Sequence, residues 1–273
     1  MPELPEVETI VRELRTLVVG RRVERVGVKL NKIIRTGPRR LTRLLNGADA
    51  LGVRRLGKFL VFEFDQDRYL IVHLKMTGQF AWHDKPGGWP KYVHVKIHFE
   101  DGSELLYRDV RQFGRFYGLN SEEYERWLGK TELGPDPFQI STKDFTRRLL
   151  DRKGRIKPLL LNQAFISGLG NIYVDESLFA ARINPMVSAG TLDKAQAQGL
   201  HREVVRILKE AIDLRGSTVS NYKGLSGRSG EFQKFHKVYQ RRGEGCVVCG
   251  HEITRMVVGG RGTYFCPACQ PLK

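Results

Sequence analysis

Cys246, Cys249, Cys266 and Cys269 are the only cysteines in a chain of 273 residues, and they fall as two Cys-x-x-Cys pairs near its C-terminal end. Each pair can present two thiolates from one turn, and four thiolates meet the tetrahedral preference of zinc. Clustering every cysteine in one short segment argues against a disulfide framework and for a metal site in a reducing compartment. Four protein ligands close the coordination sphere and leave no place for water, so such a zinc is structural rather than catalytic. Four unliganded thiols would leave this tail with almost no core.

The second stretch with chemical potential is MPELPEVET, residues 1–9. The chain carries a formal net charge of +16, yet Glu3, Glu6 and Glu8 precede its first basic residue, Arg12. One reading is helix chemistry, because acids and proline favour a first helical turn. The other starts from Pro2. A small second residue favours loss of the initiator methionine, which would expose a secondary amine able to attack an electrophilic carbon such as a sugar C1′. The resulting iminium acidifies the adjacent C–H and promotes elimination. A helix N-terminus and basic surroundings would lower the pKa of that amine, and Glu3 beside it could donate or accept a proton. The two readings are compatible.

The elements that must position these residues are legible in outline. Val7, Ile10, Val11, Leu14, Leu17 and Val18 make one apolar helical stripe, with Pro5 at its start and Gly20 at its end. Leu60, Phe62 and Phe64, then Val93, Val95, Ile97 and Phe99, alternate with period two, and Asp101-Gly102 predicts a hairpin into SELLYRDV. Residues 21–120 therefore read as an antiparallel β-sandwich. ELGPDPFQI, 132–140, reads as a linker. Beyond it, Ser141 and Asp144 form a capping-box-like start, helices are expected around 157–163, from Asn171, and over 193–214, and 216–233 is a low-complexity stretch. EITRMVV, GGRG and TYFC read as a hairpin between the cysteine pairs. Arg261 at its tip is either an exposed turn residue or a phosphate contact. The fold expected is α+β with two domains: a strand domain over 1–131, the linker, a helical domain over 141–233, and a zinc finger over 234–273. A pI near 9.9 suggests a polyanionic partner, nucleic acid before an anionic membrane. No apolar run approaches the ~18 residues of a membrane span, and no secretory signal is evident.

PELPEVET, GLGNIYVDE and GGRGTYFCPACQ, in this order and spacing, resemble the bacterial formamidopyrimidine-DNA glycosylases over nearly the whole chain. The resemblance implies a sandwich, a helix–two-turn–helix element at GLGN and a four-cysteine finger holding one structural zinc. It implies Pro2 as nucleophile, Glu3 assisting at the sugar ring oxygen, and Lys58 in LGKFL as a catalytic lysine that contacts phosphate beside the lesion and assists the β,δ-elimination. His73, Asn171 and Arg261 match the phosphate-binding set, with Asn171 also suited to cap a helix, and Lys157, which aligns with a lysine near the damaged base, is expected to join them as a phosphate ligand. Met76, Arg111 and Phe113 match the side chains that fill the hole left by an everted nucleotide. Eversion itself is what base chemistry requires. Ser217, Thr218, Val219 and Tyr222 fall in the lesion-recognition loop, where backbone amides are the expected contacts; a flexible linker is the plainer reading.

The activity implied is excision of 8-oxoguanine and formamidopyrimidines from damaged double-stranded DNA, with β,δ-elimination at the abasic site. A monomer in the bacterial cytoplasm, associated with the nucleoid through DNA, would be expected. Leu4 stands where the related endonuclease VIII group has glycine, which argues against oxidised pyrimidines as preferred substrates. A non-catalytic zinc-dependent DNA-binding protein would share the charge and the finger, but it would have no use for Pro2, Glu3 and Lys58 together. HLKMTGQF and GPDPF depart from commoner family strings without touching the matched catalytic positions.

Overall fold

Helix α1 (Leu4–Val18) forms on the expected stripe: Val7, Ile10, Val11, Leu14 and Val18 are all buried in one core. Glu3 is its cap residue. The Glu3 N–H donates to Glu6 Oε2 at 2.7 Å, half of a reciprocal capping box. Pro5 lies in the first turn, where its missing N–H costs nothing.

The computed structural model describes residues 1–219, 222–225 and 227–272. They divide into two units, Met1–Thr131 with Leu214–Glu231, and Glu132–Asp213 with Phe232–Lys273. Unit one holds two four-stranded antiparallel sheets. The strands are β1 (Val23–Val28), β2 (Ala50–Leu56), β3 (Phe59–Phe64), β4 (Arg68–His73), β5 (Gly78–His83), β6 (Val93–Phe99), β7 (Glu104–Asp109) and β8 (Arg115–Asn120). One sheet runs β1-β6-β7-β5 and the other β2-β3-β4-β8. Their inner faces meet through aromatic rings: Phe62 on Phe80 at 5.9 Å and Tyr107 on Phe116 at 4.7 Å, both edge-on. β6 and β7 are joined at Asp101-Gly102, where Asp101 Oδ1 accepts the Ser103 N–H and Gly102 has a φ of +85°. Helices α2 (Pro38–Leu45) and α3 (Ser121–Thr131) flank the sheets.

Register decides what the sheet ends present. Phe59 pairs with His73 and His73 with Arg115, so the start of β3, the end of β4 and the start of β8 share one edge. Gly78 pairs with Asp109, which brings the β4–β5 and β7–β8 turns together.

The stretch 216–233, expected with the helical segment, packs mostly into unit one, which takes in residues 214–231. The cause is a pair of α1 carboxylates. Glu6 Oε1 accepts the Ser217 N–H at 2.7 Å, and Glu13 Oε2 accepts the Leu225 N–H at 2.7 Å. Tyr222 and Leu225 then bury their side chains in the α1 core.

Unit two contains α4 (Thr142–Leu150), α5 (Ile156–Leu161), α6 (Asn171–Ala180), α7 (Lys194–Asp213) and the hairpin β9 (Thr254–Val258) with β10 (Arg261–Phe265). Ser141 caps α4, accepting the Asp144 N–H at 3.0 Å. Residues 132–140 are tied to the α5–α6 turn: the Gly134 N–H donates to the Gln163 carbonyl and the Ser167 N–H to the Pro135 carbonyl. No helix among the described residues is long and apolar enough to cross a membrane.

Candidate functional site

Pro2 is buried just ahead of α1, and Met1 before it is half exposed. Glu3, also buried, occupies the cap position, so the two residues stand at the positive end of the helix dipole. Lys58 lies in the β2–β3 turn after Gly57. The strand leading into that turn is fixed to α1: Arg55 Nε donates to Glu8 Oε2 at 3.0 Å, and Arg15 Nε donates to the Val53 carbonyl at 2.6 Å. Glu6, explained by sequence as helix-start chemistry, has a second job. One carboxylate oxygen holds the Glu3 N–H and the other holds Ser217. A Cβ on Gly216 would come within 2.6 Å of that second oxygen, so the loop approach requires glycine.

Of the expected loop contacts, Ser217 is buried with its N–H on Glu6, and the Thr218 hydroxyl donates to the Tyr222 carbonyl at 3.0 Å and accepts the Gly230 N–H at 2.8 Å. The Tyr222 ring faces the α1 core instead of a base, with its pKa raised by burial and by the Glu6 carboxylate. Val219 is half-buried.

His73 ends β4 beside Lys58. Its Nδ1 accepts the Lys75 N–H at 3.0 Å, which leaves the ring proton on Nε2. Burial, with Lys75, Lys58 and Arg115 nearby, pushes its pKa down to about 3. It is therefore a neutral hydrogen-bond donor. Met76 and Phe113 stand out from the same end, 47% and 52% exposed. Arg111 joins them: Nη1 lies 3.0 Å from Met76 Sδ, and the guanidinium sits 5.0 Å over the Phe113 ring. Two apolar side chains exposed to this degree, stacked through one arginine, make a ready wedge. Beside it is a concavity of about 530 Å³ whose charged lining is Lys32, Arg35, Lys75 and Arg115, with no acid. Such a surface suits a polyanion.

In unit two, Gly259 and Gly260 take φ values of +57° and +73° between Val258 and Arg261, a two-residue hairpin turn that presents Arg261 exposed at the start of β10. Asn171 Nδ2 donates to the Gly262 carbonyl at 2.8 Å, so the α6 start and the Arg261 turn are joined. The α6 cap residue is Gly170, with Asn171 first in the helix; the expected capping role gives way to this hairpin bond. Lys157 needs correction as a phosphate ligand. Its side chain is fully buried, 2.6 Å from Asp175 Oδ1, and Nζ donates to the same Gly262 carbonyl at 3.1 Å. Asp175 Oδ2 accepts the Tyr264 N–H at 3.0 Å. Burial raises the Asp175 pKa, opposed by the Lys157 ammonium. Next along α6, buried Glu176 accepts the N–H groups of Lys237, Val238 and Tyr239 at 2.8–3.0 Å. Neither acid stands out in sequence, because each acts on backbone far along the chain.

The four cysteine sulfurs all lie within 4.8 Å of one another. Cys246–Cys269, Cys249–Cys266 and Cys249–Cys269 measure 3.8, 3.5 and 3.4 Å. A tetrahedron with Zn–S bonds of about 2.3 Å has edges of about 3.8 Å, so the donor set fits. The Val248 and Cys269 N–H groups donate to Cys246 and Cys266 sulfurs, as thiolate ligands require. The residues hold one structural zinc. Buried Gln270, unremarked in sequence, ties the site down: Oε1 accepts the Cys266 N–H at 3.0 Å, and Nε2 donates to the Ile183 carbonyl at 2.8 Å.

This arrangement has close counterparts. The formamidopyrimidine-DNA glycosylase N-terminal domain matches residues 1–116, the formamidopyrimidine-DNA glycosylase H2TH domain 133–223, and the zinc finger found in FPG and IleRS 243–272. The chain is 45% identical over 274 residues to the formamidopyrimidine-DNA glycosylase of Bacillus licheniformis and 46% identical over 278 residues to that of Brevibacillus brevis, with 99% of each chain covered. Among solved structures, the Lactococcus lactis FPG in complex with Fapy-dG containing DNA superposes with a TM-score of 0.92 at 36% identity, covering 99% of this chain and 100% of that one. The L. lactis Fpg complex with abasic-site DNA gives a TM-score of 0.93 at 37% identity, again over 99% of this chain and 100% of that one. Three domain matches in the expected order, with relatives 45% and 46% identical over 99% of the chain, place this chain in the formamidopyrimidine-DNA glycosylase family.

Proposed function

We propose that the chain is a DNA repair enzyme, a bifunctional DNA glycosylase and abasic-site lyase that excises 8-oxoguanine and formamidopyrimidines from double-stranded DNA, acting as a monomer. The observation that carries this is the full-length match to relatives whose complexes hold Fapy-dG DNA and abasic-site DNA, the substrate before and after base loss.

After removal of Met1, the Pro2 nitrogen attacks C1′ and the bond from C1′ to the base breaks. Glu3 delivers a proton to the ring oxygen as the sugar opens to an iminium on Pro2. Loss of a C2′ proton then expels the 3′ phosphate, and a second elimination expels the 5′ phosphate, with Lys58 beside the reacting phosphate. Asn171 and Arg261 bind phosphate from unit two, and His73 does so from unit one as a neutral donor. Met76, Arg111 and Phe113 fill the vacated stack, with Arg111 facing the orphaned base. Backbone amides of 217–219 contact the lesion after the loop exchanges its bond to Glu6. Zinc organises the finger and takes no part in the chemistry. The enzyme works in the cytoplasm and associates with the nucleoid through DNA.

Borohydride added during reaction with an 8-oxoguanine:cytosine duplex should trap a covalent adduct, located by mass spectrometry on Pro2 of a chain lacking Met1. An adduct on a lysine, Met1 retained, or no adduct at all would sink the mechanism. Stronger excision of thymine glycol than of 8-oxoguanine would favour the endonuclease VIII group's preference.

A further inference from the structure

A wedge works only if its parts keep their spacing as they enter the helix. Met76 stands on the β4–β5 turn, and Arg111 and Phe113 stand on the β7–β8 turn. One carboxylate joins the two. Asp109, fully buried at the end of β7, accepts from the Thr77 hydroxyl at 2.5 Å and the Arg111 N–H at 3.2 Å through Oδ1. Through Oδ2 it accepts from the Gly114 N–H at 2.8 Å and the Tyr107 hydroxyl at 3.2 Å. The Arg111 N–H also reaches Thr77 Oγ1 at 3.1 Å. Four donors meet the acceptor capacity of one ionised carboxylate.

None of those donors is charged. A buried carboxyl group held by four neutral donors is fixed by the directions of its bonds, two of them to each oxygen. Each turn also holds a non-glycine residue at positive φ next to a wedge residue: Lys75 at +55° beside Met76, and Gln112 at +58° between Arg111 and Phe113. Such backbone persists where its surroundings over-determine it. Behind the carboxylate, the Tyr107 hydroxyl fills the space where a Cβ on Gly114 or Gly78 would sit. The two turns can close around that hydroxyl only because both positions are glycine.

We infer that Asp109 is the positioning residue of the wedge, holding Met76, Arg111 and Phe113 as one body for base eversion. It touches neither DNA nor the reacting atoms, and the inference rests on the eversion reading above. Thr77→Val and Asp109→Asn change the network with little change of shape. Two substrates separate eversion from chemistry: an 8-oxoguanine:cytosine duplex, and a single-stranded oligonucleotide with a preformed abasic site, which has no base to evert and no partner strand to wedge. Duplex excision should fall about tenfold to a hundredfold in both variants, while cleavage of the single-stranded abasic site stays within about twofold. Equal losses on both substrates would reduce Asp109 to a packing role and overturn the inference, as would undiminished duplex excision. Should Asp109→Asn fail to fold, Thr77→Val alone decides. Inactivity of the unaltered protein on both substrates would overturn the underlying reading as well.

Discussion

His73 would meet phosphate without a charge, and this sets it apart from a lysine in the same place. Its ring titrates near 6.5 in an unfolded chain and near 3 in the fold. Between those values the unfolded chain takes up a proton that the folded chain refuses. Stability therefore falls as pH drops from 6.5 toward 3, by up to about 1.4 kcal/mol per pH unit for this one group, and has no His73-dependent slope above 6.5. Urea unfolding of His73→Gln across that range should show a shallower acid limb than the unaltered protein. An identical limb would mean that the ring is not held neutral. The Lys75 N–H on Nδ1 is what commits the ring, since it leaves only Nε2–H to face a phosphate oxygen.

At the scale of elements, α6 works as a bracket. Its first residue, Asn171, reaches the Arg261 turn, Glu176 grips the backbone ahead of the first cysteine pair, and Asp175 grips it at Tyr264, just ahead of the second. Losing one member of the buried Lys157–Asp175 pair should cost about 3–5 kcal/mol and loosen the hairpin. Lys157→Met and Asp175→Asn should both lower the thermal midpoint and weaken binding to an abasic-analogue duplex in fluorescence anisotropy. Tighter binding by Asp175→Asn would instead mean that a freed Lys157 grips phosphate. The elements themselves were largely legible in sequence, because the α1 stripe, the Asp101-Gly102 turn and the cysteine pairs are local patterns. What was not legible joins residues distant in the chain. Lys157 read as a ligand because its partner lies eighteen positions on, and Asp109 read as an ordinary strand residue because Thr77 is thirty-two away. Tyr222 sits in a stretch whose composition suggests a linker, and the Glu6 and Glu13 carboxylates that fasten the segments flanking it belong to α1.

For the whole molecule, the zinc site and the strand unit should fail separately. Each has its own core, one around Phe62, Phe80 and Tyr107 and the other around Cys246, Ile253 and Cys266. Cys266→Ser should release zinc and weaken DNA binding by freeing Arg261, while circular dichroism retains the strand signal. Unchanged affinity in the metal-free variant would remove Arg261 from the phosphate set. Acid should act in the same direction, since the ligands must stay thiolates. The Glu6–Ser217 bond spans 211 positions, and unit one is built from residues 1–131 and 214–231 with another unit's residues between. On the ribosome, the N-terminal turn emerges first but cannot acquire its last partner until most of the chain has been made. The mechanism proposed above needs Met1 trimmed, and that whole interval passes before Ser217 can close on Glu6. On that mechanism, the order of synthesis gives trimming ahead of Pro2 a head start over closure of the loop on Glu6.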